Sequence, residues 1–79
     1  MISYETIQSI ESHFDEMIRM QREKVLRMAR QRVPYLTSDD ILNPHDYPEL
    51  VRDADFQFED GILGGLIQAQ ISLRARFFR

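Results

Sequence analysis

The sequence predicts an all-α protein: an antiparallel two-helix hairpin with short helical turns in its linker, of a kind expected to assemble into a four-helix bundle. Three observations predict it. Residues 4–32 carry apolar side chains at a helical period, with no glycine or proline among them. Residues 55–77 form a second proline-free stretch of helix length, apolar on nearly every side. Charge is segregated so that each of the two stretches is acidic at its N-terminal part and basic at its C-terminal part, which complements the helix macrodipole. With 79 residues, the expected organisation is one helical domain over 1–79: a helix at about 4–32, a structured linker at 33–54 and a helix at about 55–77.

The first helix has one apolar face. Ile7, Ile10, Phe14, Met17, Ile18, Val25, Met28 and Ala29 fall within a stripe roughly 120° wide when each residue advances 100°. Glu5, Asp15, Glu16, Arg19, Arg22, Glu23, Arg27 and Arg30 lie on the other side, where Met20 and Leu26 are single apolar residues that a partner could touch. Ser3 is the expected N-cap, because its hydroxyl can accept from an unpaired amide of the first turn. Ile2 and Ile7 bracket it at the spacing of a hydrophobic staple. Pro34 stops the helix, since it lacks an N–H and restricts the residue before it. Gln21 interrupts the apolar stripe. The simplest expectation is that its amide reaches solvent or a neighbouring carbonyl; the alternative is a buried glutamine that fixes the register of helix pairing.

The linker is long for a helix–helix connection and carries its own local signals. Thr37 and Asp40 have the spacing of a capping box, with Asp in place of the usual Glu, and Leu36 and Ile41 flank it as a staple. A helical turn is expected at 38–42, stopped by Asn43-Pro44, and Pro48 is placed to open another turn through Val51. Tyr35, Leu36, Ile41, Leu42, Tyr47, Leu50 and Val51 give this segment apolar surface. We expect it to cap the hairpin's closed end, in preference to presenting a recognition loop.

The second helix is where the hairpin looks incomplete. One stripe holds Phe58, Ile62, Leu66, Ala69, Leu73 and Phe77; a neighbouring one holds Phe56, Leu63, Ile67, Ile71 and Phe78; Gly61, Gly64, Gly65, Ser72 and Ala75, with Gln68 among them, fill the remainder. A helix apolar all round needs neighbours on several sides, and the first helix offers only one face. The three glycines each cost roughly 1 kcal/mol relative to alanine within a helix. Close approach of another helix backbone would offset that cost; the competing explanation is a kink at Gly64-Gly65. The expected interface is therefore Gly61, Ile62, Gly64, Gly65, Leu66, Ile67, Ala69, Ile71 and Leu73.

Charge sets the expected topology. Residues 1–18 hold four acids and no base, 19–32 six bases and one acid, 39–60 eight acids and one base, and 61–79 three bases and no acid. An antiparallel hairpin puts Arg27, Arg30 and Arg32 near Asp53, Asp55, Glu59 and Asp60. It puts Arg74, Arg76 and Arg79 near Glu5, Glu11, Asp15 and Glu16. A parallel pair would set like against like.

Several function classes find no support in the residues. There is no cysteine and only two histidines, so neither a thiolate nor a histidine-based metal site is expected. His13-x-x-Glu16 reverses the order of the bundle-type carboxylate–histidine motif and occurs once. No glycine-rich phosphate loop precedes a Lys-Ser/Thr pair, and no serine or threonine has a histidine partner in view. We therefore expect no enzyme activity, no cofactor and no small-molecule substrate. Residues 61–73 form the longest uncharged stretch, too short for a membrane span. The first ten residues lack signal-peptide character, and the expected location is cytoplasmic. The formal net charge of −3 gives no overall attraction to nucleic acid. The alternative function is nevertheless an accessory protein that touches nucleic-acid phosphates through Arg19, Arg22, Arg27 and Arg30 within 19–32. The leading expectation is a protein-interaction module, an adaptor, small chaperone-like or regulatory subunit, whose partner is a second copy or a larger protein.

Overall fold

The computed structural model describes residues 2–78. Helix α1 spans Tyr4–Arg32, α2 spans Pro48–Val51 and α3 spans Ala54–Phe77, with 3-10 turns at Asp40–Leu42 and Pro44–Asp46 between α1 and α2. No strand occurs among the described residues. The two long helices pack against each other, and the molecule extends over 47 × 19 × 15 Å. Cross-helix bonds give the direction of packing. Gln21 meets Glu59 and Asp15 meets Gln70, and Glu11 meets Arg74, so residue numbers rise along one helix as they fall along the other.

Local chemistry starts and stops the elements. The Ser3 hydroxyl accepts from the Thr6 amide at 3.2 Å, as expected of an N-cap. Asp53 does the same for α3, accepting from the Phe56 amide at 3.1 Å, so that helix begins at Ala54, a residue before the expected start. The Thr37–Asp40 box closes in both directions: the Thr37 amide donates to Asp40 Oδ2 at 3.0 Å, and the Asp40 amide donates to Thr37 Oγ1 at 3.2 Å. Pro48 opens α2 at its first turn, where a missing N–H costs nothing. The 3-10 turn at Pro44–Asp46 follows from the same logic: Pro44 stops one turn and starts the next. α3 runs unbroken through Gly61, Gly64 and Gly65, with no glycine at positive φ, so the glycines do not interrupt it.

The core sits at the closed end of the hairpin. Val25, Ala29, Val33, Leu36, Leu50 and Phe56 form one buried cluster, with Leu26, Ile41, Tyr47 and Leu63 packed around it. Three of the six buried members, Val33, Leu36 and Leu50, come from the segment joining α1 to α3. The linker therefore closes the core and acts as a cap. Further toward the open end, Ile18 and Gln70 are the buried side chains between α1 and α3.

Candidate functional site

Within this hairpin α3 buries only Phe56 and Gln70. Its inner side, turned to α1, also carries part-buried Glu59, Asp60, Leu63, Leu66, Ile67 and Leu73. Much of its remaining apolar surface faces outward: Phe58 is 68% exposed, Ile71 51%, Phe77 42% and Ile62 38%. The nine interface candidates are thus distributed around the helix. Gly61, Ile62, Gly64, Gly65, Ala69 and Ile71 are exposed, and Leu66, Ile67 and Leu73 are half-buried. A Cβ added at any of the three glycines would meet nothing within 4 Å. Nothing inside the hairpin explains why those positions lack a side chain.

The two long helices leave a valley on each side. One is a groove of about 1060 Å³, with apolar walls from Ile18, Leu26, Ile41, Leu63, Ile67 and Ile71. It also contains charged groups, among them Arg19, Arg22, Glu23 and Asp60. Asp60 is half-buried there, and burial pushes its carboxyl above the usual carboxylate range because the low-dielectric surroundings disfavour the charged form. The helical period offered a signal for this: Asp60 stands three residues before Leu63 and seven before Ile67, on the inner side of α3. Net charge segregation obscured it by assigning every acid in that region to a basic neighbour.

The opposite side of the hairpin carries apolar, polar and charged groups together. Helical spacing brings Ile10 and Met17 of α1 to the same side as Ile62, Leu66 and Phe77 of α3, while exposed Met20 stands on the polar side of α1. Lys24 and Glu59 meet along it at 3.1 Å. Glu59 also accepts two bonds from Gln21 Nε2, at its backbone carbonyl (2.8 Å) and at Oε1 (2.9 Å). The Gln21 amide first and Lys24 second hold the Glu59 carboxyl below its ordinary range. Gln21 therefore reaches a neighbouring carbonyl and a carboxylate across the hairpin. A matching polar link, not evident in the sequence, lies toward the open end: buried Gln70 donates to Asp15 Oδ1 at 2.7 Å.

The charge pairing is antiparallel. Arg32 Nε lies 2.8 Å from Asp53 Oδ2, Arg74 bonds Glu11, and Arg74 lies 3.7 Å from Asp15. Arg30 turns instead to the Leu36 carbonyl at 2.8 Å, which ties the linker to α1. Arg79 lies outside the described residues. Of the cations considered for nucleic acid, Arg19 pairs with Glu16 and Glu23 and Arg30 is held by the linker, while Arg22 lines the groove and Arg27 is exposed.

Among the described residues no group of histidine, aspartate or glutamate is arranged to hold a metal ion, and no helix is long and apolar enough to cross a membrane. What the arrangement offers chemically is area: on one side a groove with apolar and charged walls, and on the other exposed apolar side chains beside the Lys24–Glu59 ion pair. No known protein family, curated protein or solved structure matches this chain significantly.

Proposed function

We propose that this chain is a non-catalytic protein-interaction module that acts through helix–helix association, and that two copies pack into a four-helix bundle. One observation carries the reading. α3 is a helix of 24 residues of which only Phe56 and Gln70 are buried by its own chain, although its sequence is apolar on almost every side. Exposed apolar side chains along one helix support an association reading. A small domain without disulfides gains from oligomerisation the burial that its own core does not supply.

Light scattering on the purified chain tests the proposal. The expected mass is twice the 9.4 kDa of one chain, and the helical signal should rise with concentration because folding and association are linked. A stable, soluble species of 9.4 kDa at high concentration would refute it. Aggregation of the isolated chain would point to a larger partner in place of the second copy.

A further inference from the structure

We infer that the second copy docks groove against groove, with α3 antiparallel to its counterpart about a two-fold axis at Ile67. This rests on the association reading above and adds which surface performs it and in what orientation.

The row of α3 residues that lines the groove is its own complement. Asp60, Leu63, Ile67, Ile71 and Arg74 all line it, at the three- and four-residue steps of a helix seam. Asp60 stands seven residues before Ile67 and Arg74 seven after; Leu63 stands four before and Ile71 four after. An antiparallel two-fold contact centred on Ile67 therefore sets Asp60 against Arg74, Leu63 against Ile71 and Ile67 against itself. Gly64 and Gln70, which also line the groove, stand three residues to either side of Ile67 and meet in the same way. Apolar residues meet at the centre and opposite charges at both ends, over ~21 Å at ~1.5 Å per residue. A parallel contact of the two α3 helices would set Asp60 against Asp60 and Arg74 against Arg74. The row thus selects a copy of itself, in one orientation.

The α1 wall obeys the same operation. Asp15 bonds Gln70, so Ile18, three residues on, stands level with Ile67, three residues back. Asp15 lies three residues before Ile18 and Arg22 four after, and all three line the groove. The two-fold therefore brings Asp15 of each copy to Arg22 of the other. Arg19, also in the groove, is paired with Glu23 at 3.1 Å. Arg74 holds Glu11 and lies 3.7 Å from Asp15 within its own chain, and its five guanidinium donors leave room for a further carboxylate. Docking encloses half-buried Asp60 more deeply, where its charge needs a cation; Arg74 of the second copy supplies one. Ile71, 51% exposed in the hairpin, is covered by Leu63 of the second copy. On the Met17–Leu66 side the ion pair is closed within one chain, since Lys24 and Glu59 meet each other at 3.1 Å.

Charge exchange between copies tests the register. Asp60→Arg alone sets an arginine against Arg74 in its own dimer, and Arg74→Glu alone sets a glutamate against Asp60. In a heterodimer of the two variants both contacts join opposite charges. Sedimentation equilibrium of the full chain gives each Kd, and far-UV circular dichroism gives the helical content. We expect each variant alone to dimerise at least ~10-fold more weakly than the parent, the effect of like charges in contact. Their equimolar mixture should return to within a few-fold of the parent Kd. Ile71→Glu, in the groove, should weaken the dimer by a similar factor, and Ile62→Glu, on the other side, should leave Kd within a few-fold. Arg74 also ties Glu11, so if Arg74→Glu loses its helicity, the Ile71 and Ile62 variants decide alone. A folded mixture no tighter than its components, or an Ile62→Glu dimer as weak as that of Ile71→Glu, overturns the assignment while the parent dimer still stands. A monomeric parent chain removes the association reading itself.

Discussion

Phe56 shows how one residue can unite three parts of the molecule. It is fully buried and belongs to the cluster containing Leu36 and Leu50 of the linker and Val25 and Ala29 of α1. Its amide is the one that caps α3 on Asp53. Phe56→Ala should cost about 3–5 kcal/mol through lost transfer energy and an unfilled cavity, enough to unfold most of the chain in urea titration at low protein concentration. Phe58→Ala, two residues along and 68% exposed, should change the stability of the monomeric hairpin by no more than ~0.5 kcal/mol. Equal effects would show that the core is misplaced. Asp53 combines two roles, capping α3 and bonding Arg32. Asp53→Asn keeps a cap acceptor and should lower Tm less than Asp53→Ala.

At the scale of the element, α3 is a helix whose glycines have no reason within the hairpin to be glycine. Gly61 and Gly64 are exposed, lie in regular helix and have open space where a Cβ would go. Gly61→Ala and Gly64→Ala should each stabilise the chain by roughly 0.5–1 kcal/mol, because alanine loses less backbone freedom on folding. A loss of mass on either substitution would move the partner helix to the glycine edge. The linker, by contrast, is an element whose local signals all resolve into contacts. The capping box, the proline-started turn and the Arg30 bond to Leu36 together aim Leu36 and Leu50 into the core.

For the molecule as a whole, stability against acid follows from the carboxylates that tie its elements together. Glu59 is held below its ordinary range by Gln21 and Lys24, Asp53 by Arg32 and the Phe56 amide, and Asp40 by the Thr37 amide and hydroxyl. A carboxyl depressed in the fold contributes fully above its unfolded value near 4. That contribution is lost as pH falls from there through the lower folded value, where the native state must also take up the proton. Asp60 acts in the opposite sense: its raised value means the fold binds that proton first, which stabilises slightly as pH falls toward 4. Urea titrations between pH 7 and pH 2.5 should show stability declining below about pH 4, and Glu59→Gln should flatten part of that decline. Unchanged stability down to pH 2.5 would show that these bonds contribute little.

How much of this could be read in advance depended on whether the cause was local. The limits of α1, the Ser3 cap, the Thr37–Asp40 box and the Pro48 turn follow from residues within a few positions of one another, and charge order alone was enough to orient the hairpin. The cross-hairpin polar links were only partly visible. Gln21 stood out because it broke an apolar stripe, whereas Gln70 lay in a stretch where no single side was polar, and its partner Asp15 is 55 positions away. The sequence by itself determined the helices, their ends and the excess of apolar surface, because those depend on propensity, capping and periodicity. Only the tertiary structure decided that the linker supplies half of the buried cluster, that Asp60 lies in a groove while Glu59 is neutralised, and hence that the two sides differ. Those facts depend on which side chains face each other across the hairpin, and the rotation of one helix against another is set by packing rather than by either helix alone.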